Sequence, residues 1–146
     1  MTERNTKIKK IAYVSGTRAD FGLMTPILKA IQYSKKLKLQ VYATGIHLMP
    51  EFGQTIREVK KLSPNAIKIP AVFGSDDRAG IARFAGNFFK KVVSVFEKDK
   101  PDIVLVLGDR VEMLVTSMAA FYLGIPIAHI HGGEKTFTID EVARHA

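Results

Sequence analysis

Short apolar runs alternate with longer stretches of helical periodicity along the whole chain. "KIAYVSG", ending at Gly16, is apolar and predicts a first strand. "FGLMTPILKAIQYS" then sets Leu23, Ile27, Leu28 and Ile31 at helical spacing, and Pro26 fits such a helix only in its first turn. "LKLQVYATG" predicts a second strand, and "PEFGQTIREVKKL" a helix with Phe52, Ile56 and Val59 on one side. "AIKIPAVFG" reads as a third strand, placed at a sheet edge by Pro70. "DRAGIARFAGNFFKKVVSVFEKDK" is a long helix and "PDIVLVLGD" a strand whose unbroken apolar run suits burial on both faces. "RVEMLVTSMAAFYLG" is a helix closed by Gly124, and "IPIAHIHGG" a fifth strand.

Strands alternating with helices of this length predict an α/β fold, a Rossmann-like doubly wound parallel sheet with helices on both faces and right-handed crossovers. The expected strand order is 3-2-1-4-5. Near the end, Thr138 and Glu141 have the spacing of a capping box, the signature of a helix start. Only about eight residues follow Thr138, too few for a helix that stands without packing. Residues 1–146 are therefore expected to be the first domain of a longer protein, cut just inside a helix.

Composition narrows the chemistry. Hydrophobic residues make up 47% and charged residues 25% of 146, within the ordinary globular range. With no cysteine, disulfides, thiolate nucleophiles and Cys-based zinc sites are excluded, and a cytoplasmic location fits. No apolar stretch approaches the length of a membrane helix, and "MTERNTKIKK" does not read as a secretory signal. The net charge of +8 raises the question of nucleic acid. The lysines, however, fall in dispersed pairs such as Lys35/Lys36 and Lys90/Lys91, with no aromatic-interleaved patch, so solvated helix faces are expected, with an anionic small molecule as the partner class.

Ligands of open parallel sheets bind beyond the carboxyl ends of the strands. Those positions here read "SGTRADFG", "TGIHLMPEFG", "FGSDDRAG", "LGDRVE" and "HIHGGEKT", each pairing glycine with Asp, Arg, His or Glu. The opposite strand ends carry mostly Lys, Leu, Pro and Asn. This asymmetry points to one composite site along one rim.

Within it, Gly16 and Thr17 open a helix whose backbone N–H groups favour an anion, and Arg18 either grips a phosphate or pairs with Asp20. The glycine spacing matches neither the dinucleotide fingerprint nor a Walker loop. Asp109, at the end of the most buried strand, is costly there unless hydrogen-bonded or functional; it either caps the following helix or takes part in chemistry. Arg110 pairs with Asp109 or with substrate. His129 and His131, two apart on a strand, are expected on one side, where a metal with Asp109 or Glu134 is conceivable but the spacing is unspecific. Gly132 and Gly133 permit a close backbone approach. Asp140 lies in the first turn of the last helix, suiting the helix dipole or catalysis, and His145 follows about a turn later. Neither metal nor cofactor is expected.

Taken together, "GTRADFGL", "TGIHLMPEFG", "LGDRVE" and "AHIHGGEKTFTIDEVARHA" resemble, in the same order, the hydrolysing UDP-N-acetylglucosamine 2-epimerases of sialic and related nonulosonic acid synthesis. The resemblance covers essentially all 146 residues. It implies the N-terminal half of a GT-B architecture, with two Rossmann-like domains facing across a cleft, the second supplying most of the nucleotide binding. It also implies a nucleotide-sugar substrate and a homo-oligomer when full length, with no nucleic acid or membrane as partner. The implied reaction converts UDP-N-acetylglucosamine to N-acetylmannosamine plus UDP, by elimination to a glycal and rehydration. By resemblance, Asp109 and Asp140 match acid/base positions, with His131 as the third catalytic candidate. Arg18 and Arg110 match substrate-contacting arginines, and His145 a histidine of the site; Gly16, Thr17, His47, Gly133 and Glu134 complete the expected substrate-binding set. One departure stands out: relatives carry "HIEGGE" where this chain has "HIHGGE", and a histidine at 131 resembles the branch acting on UDP- or GDP-N,N'-diacetylbacillosamine. Non-hydrolysing epimerases and GT-B glycosyltransferases share the architecture, and an anion-binding regulatory domain is the non-enzymatic alternative.

Overall fold

A computed structural model describes residues 7–138 and 140–146. Five parallel strands, β1 (Lys9–Ser15), β2 (Leu37–Ala43), β3 (Ile67–Lys68), β4 (Ile103–Leu107) and β5 (Ile127–Ile130), form one sheet in the order β3-β2-β1-β4-β5. The helices are α1 (Arg18–Tyr33), α2 (Ile56–Leu62), α3 (Arg78–Asp99), α4 (Val111–Tyr122) and α5 (Glu141–His145). Among the described residues no helix is long and apolar enough to cross a membrane.

Side-chain alternation builds two cores from the same strands. Ala12, Val14, Tyr42, Val104 and Val106 face α3 and α4, where Phe84, Phe88, Val92, Phe96, Met113 and Ala119 meet them. Ile11, Tyr13, Val41, Ala43, Leu105 and Leu107 face the other way, toward Phe21, Met24, Leu28 and Ile31 of α1 and Val59 of α2. A sheet with helices on both faces needs strands apolar on both sides, and "IVLVL" in β4 meets that need. The doubly wound Rossmann-like sheet and its strand order are as expected from the sequence.

Several local expectations are corrected. Helix α1 starts at Arg18, with Thr17 as its N-cap, so Pro26 lies inside the helix and not in its first turn. One residue earlier, the Thr25 hydroxyl donates to the Phe21 carbonyl at 2.8 Å. The buried stripe runs Phe21, Met24, Leu28 and Ile31, at i, i+3, i+7 and i+10, while Leu23 and Ile27 are exposed. The stretch expected as one helix from Pro50 opens with a separate 3-10 segment, Pro50–Phe52, preceded by another at Gly45–Leu48, before α2, and Phe52 is exposed where Ile56 and Val59 are buried. Strand β3 shrinks to two residues at the sheet edge, with Pro70 just beyond it. At α5 the capping box does not form. The Glu141 carboxylate reaches back to accept from the backbone N–H groups of Thr136 (3.0 Å) and Phe137 (2.6 Å), and the Thr138 hydroxyl pairs with that of Thr136. Those amide bonds hold the Glu141 carboxyl below its usual range.

Candidate active site

The rim beyond the strand ends is organised by two interior carboxylates, Asp20, expected only as a partner for Arg18, and Glu112, which the sequence reading left without a role. Asp20, buried at the base of α1, accepts from the Gly16 N–H (3.0 Å), the Thr17 N–H (2.7 Å), the Thr17 hydroxyl (3.1 Å) and the Tyr13 hydroxyl (2.9 Å), and also from the Ser15 hydroxyl. Thr17 caps α1 in return, its Oγ1 accepting from the Asp20 N–H at 3.2 Å. The anion attracted by this helix N-terminus is therefore the chain's own. The Gly16 and Thr17 amides expected to meet substrate are engaged inward, and Arg18, expected as a partner of Asp20 or of a phosphate, pairs with Glu58 at 3.0 Å on the surface. Burial together with the adjacent carboxylate drives the Tyr13 phenol far above its normal range.

The second interior carboxylate is Glu112, fully buried in the first turn of α4. Its oxygens accept from Arg110 Nη2 at 3.1 Å and Arg110 Nε at 3.2 Å, a forked geometry that suits a guanidinium. The turn after β1 closes directly over it: a Cβ on Gly16 would overlap the carboxylate, falling 2.7 Å from Cδ and 2.9 Å from Cγ. The turn after β2 sits close by, with a Cβ on Gly45 falling 3.2 Å from Oε1. Arg110 thus pairs with Glu112, not with Asp109, and the cap of α4 is Arg110 itself, not Asp109. One acid within the apolar stretch "VEMLVTSM" was the available signal for Glu112.

His47 follows the turn after β2. It is fully buried, with Nε2 2.8 Å from the Ser15 hydroxyl and Nδ1 2.7 Å from the Thr55 hydroxyl. Burial lowers its pKa, against an opposing pull from Asp20.

At the β4–β5 end of the rim a third group assembles. Asp109 Oδ2 accepts from Arg144 Nε at 2.6 Å, both side chains mostly buried. Arg144 Nη1 donates to the His131 carbonyl at 3.3 Å and lies 3.6 Å from Glu134 Oε2. The other Glu134 oxygen is 2.8 Å from His131 Nδ1, and the Gly133 N–H donates to the Arg144 carbonyl at 3.1 Å. Asp109, His131, Gly133 and Glu134 are thereby brought together, with Arg144, from α5, at the centre. Sequence reasoning passed over Arg144; its place beside His145, four residues after Asp140, was the signal available. Asp140 caps α5 without a side-chain cap bond and is exposed, and His145 lies 3.6 Å from Glu141.

His131 is not on the strand. Strand β5 ends at Ile130, and His131 takes a left-handed turn at φ +60°, so it does not share a face with His129. His129 turns instead to the Gly108 carbonyl, 2.6 Å from Nε2, and its ring lies against Gly132, where a Cβ would fall 2.7 Å from the ring. Among the described residues no group of three or more His, Asp and Glu side chains is placed to hold a metal ion.

A groove of about 420 Å³ is lined by Ile46, Met49, Phe52, Phe73 and Ile81, with Arg110, Ser75, Asp76 and Glu51 contributing the polar lining.

The sequence model described as UDP-N-acetylglucosamine 2-epimerase matches residues 29–146. The chain belongs to that family. It is 43% identical over 141 residues to the UDP-N,N'-diacetylbacillosamine 2-epimerase (hydrolyzing) of Legionella pneumophila, covering 95% of this chain and 37% of that protein. It is 40% identical over 139 residues to the GDP/UDP-N,N'-diacetylbacillosamine 2-epimerase (hydrolyzing) of Campylobacter jejuni, covering 94% and 36%. The crystal structure of the UDP-GlcNAc 2-epimerase of Neisseria meningitidis bound to UDP-GlcNAc superposes with a TM-score of 0.74 at 27% identity, covering 92% of this chain and 37% of that one. The chain thus spans a little over a third of the length of the family members it matches.

Proposed function

We propose that this chain is the N-terminal Rossmann-like domain of a hydrolysing nucleotide-sugar 2-epimerase, half of a GT-B cleft whose second domain supplies most of the nucleotide binding. The observation that carries the reading is the Asp109–Arg144–Glu134–His131 cluster on the carboxyl rim of a chain belonging to this family. In the proposed reaction the C1–O bond to UDP breaks as a base removes the C2 proton, leaving a glycal. Water then adds, its oxygen to C1 and a proton to the opposite face of C2, which releases the free epimeric sugar. Two groups must handle the C2 proton, one on each face.

Asp109 is one such group. Arg144 fixes Oδ2, and Oδ1 takes no part in that bond. His131 is the second candidate: Glu134 orients its ring through Nδ1, and an imidazole passes protons readily near neutral pH. Asp140, exposed at the start of α5, is the third. Arg110, locked at one edge by Glu112 and open on the other, offers its charge to the departing diphosphate, with Arg18 and His145 at the margin. Gly16, Thr17 and His47 serve the site from beneath, by setting the turns that carry it.

The substrate is a UDP-activated 2-acetamido sugar. UDP-N-acetylglucosamine is the first reading. A diacetamido sugar nucleotide of the diacetylbacillosamine type is the second, supported by the names of the two relatives at 43% and 40% identity and by histidine at 131.

The test uses the full-length protein, of which a homo-oligomer is expected. Incubation in D2O with each nucleotide sugar, followed by NMR, is expected to yield UDP and a free sugar carrying deuterium at C2. Accumulation of an epimeric sugar still joined to UDP would overturn the hydrolytic reading, and Asp109→Asn turning over at the wild-type rate would remove Asp109 from the chemistry. The 146-residue chain alone is expected to release little UDP, since half the cleft is lacking.

A further inference from the structure

His129 and Gly132 lie among the candidate acid/base residues, yet the proposed chemistry gives neither a part. The two meet across the turn that follows β5. A Cβ on Gly132 would fall 2.7 Å from Cγ and Nδ1 of the His129 ring and 3.1 Å from its Cβ, so the ring occupies the space that a side chain at 132 would need. The far nitrogen, Nε2, lies 2.6 Å from the Gly108 carbonyl. A carbonyl only accepts, so Nε2 carries the proton and donates.

Gly108 is the residue that needs this bond. It leads out of β4 at φ +75°, a left-handed conformation that glycine enters and leaves at little cost. Its N–H donates to the Ile130 carbonyl at 3.0 Å, which fixes the peptide plane before it. The plane after it joins the Gly108 carbonyl to the Asp109 N–H, and His129 holds that one. Asp109 is thus gripped twice, through its backbone by His129 and through Oδ2 by Arg144 Nε at 2.6 Å. The first grip sets where the carboxylate stands and the second how it is turned.

On its other side the ring bears on Gly132, between His131 and Gly133. One flat, rigid imidazole therefore spaces the turn that carries Asp109 from the turn that carries His131 and Glu134. Taking the C2 proton from one face of a sugar and returning one to the other needs two groups at a set separation. A misplacement of about 1 Å there costs on the order of a hundredfold in rate.

We propose that His129 is a positioning residue of the reaction, its ring bridging the Gly108 carbonyl and the Gly132 backbone so as to fix the separation of Asp109 from His131. The proposal rests on the epimerase reading.

The experiment measures kcat and KM for UDP release, with urea midpoints, in the full-length protein and its variants. His129 is exposed, and without it the Gly108 carbonyl can turn to water, so His129→Leu is not expected to disturb folding. It is expected to lower kcat by about ten- to hundredfold with KM within about twofold of wild type. His129→Gln, whose amide can still donate to Gly108, is expected to recover most of that loss. Gly132 is not left-handed, so alanine there meets the ring and not a backbone penalty. Gly132→Ala is expected to lower kcat by roughly tenfold alone and to add almost nothing to His129→Leu, where the ring is gone.

Wild-type kcat in His129→Leu would overturn the proposal, and so would additive losses at 129 and 132. A urea midpoint that falls in step with kcat in the leucine and glutamine variants alike would mark a merely structural side chain and overturn it too. Hydrogen exchange at the Gly108 and Gly133 amides separates the other failure. Faster exchange in His129→Leu, in a protein that releases no UDP, would sustain the bridge and defeat the reaction; unchanged exchange at both amides would defeat the bridge.

Discussion

Arg144 Nε donates to Asp109 Oδ2 at 2.6 Å across 35 residues of sequence, and this bond ties α5 to the turn after β4. The same guanidinium reaches the His131 carbonyl and the Glu134 carboxylate. A single cation therefore positions three of the expected site residues. Its short helix has no other described side-chain tie to the turn at Asp109.

Arg144→Ala is expected to cost about 1–3 kcal/mol by leaving a mostly buried Asp109 without its charged partner. Arg144→Lys is expected to restore little, because a point charge cannot meet Asp109 and the His131 carbonyl in the same fork. Hydrogen exchange of the amides from 141 to 146, together with turnover of the full-length protein, checks both. Protection and activity unchanged in the alanine variant would contradict the positioning role.

Asp20→Ala removes the acceptor for the Gly16 and Thr17 N–H groups and for three hydroxyls. Leaving these donors buried and unsatisfied is expected to destabilise the fold by about 2–4 kcal/mol, measured by urea denaturation. Asp20→Asn should recover only part of that, since its amide turns a donor toward donors.

Gly16 and Glu112 are expected to couple. Gly16→Ala forces a methyl into the Glu112 side chain, at a cost of about 1–3 kcal/mol. With Glu112→Ala in the background the clash disappears, so the double variant is expected to be more stable than the sum of the two single effects by about 1 kcal/mol or more. Additive losses in a double-mutant cycle would show that the Gly16 turn is constrained by something else.

His47 gives the fold a pH dependence of known sign. Its folded pKa lies below the unfolded value of about 6.5, so the unfolded chain binds the extra proton between the two. Stability is therefore full above the unfolded pKa and falls as pH drops below it, until the folded pKa is reached. His47→Gln is expected to remove this part of the slope. Urea midpoints measured from pH 8 to pH 5 should diverge between wild type and variant in that direction; parallel curves would contradict the assignment.

Much of the fold was legible because strand burial on two faces leaves a continuous apolar signature, as in "IVLVL", and because β–α alternation allows few topologies. The first turn of α1 was harder to see: Pro26 marks a helix start by its own chemistry, but the capping exchange between Thr17 and Asp20 sets the start eight residues before it. The rim was legible as a line of glycines and ionisable residues at strand ends. Which of these face outward was not, because an acid reads the same whether it meets a ligand or a buried amide.

By itself the sequence determined the element order, the parallel sheet, and the rim on which the chemistry gathers, since these follow from periodicity and from short-range turn chemistry. Only the tertiary structure decided the pairings: Asp20 with the α1 amides, Arg110 with Glu112, Asp109 with Arg144, and His131 turned off its strand by a left-handed backbone. Asp109 meets Arg144 across 35 residues, at a distance that arises only once the strands are in register, while the other pairings lie within four residues and were missed because each group had a second partner that local pattern alone does not exclude.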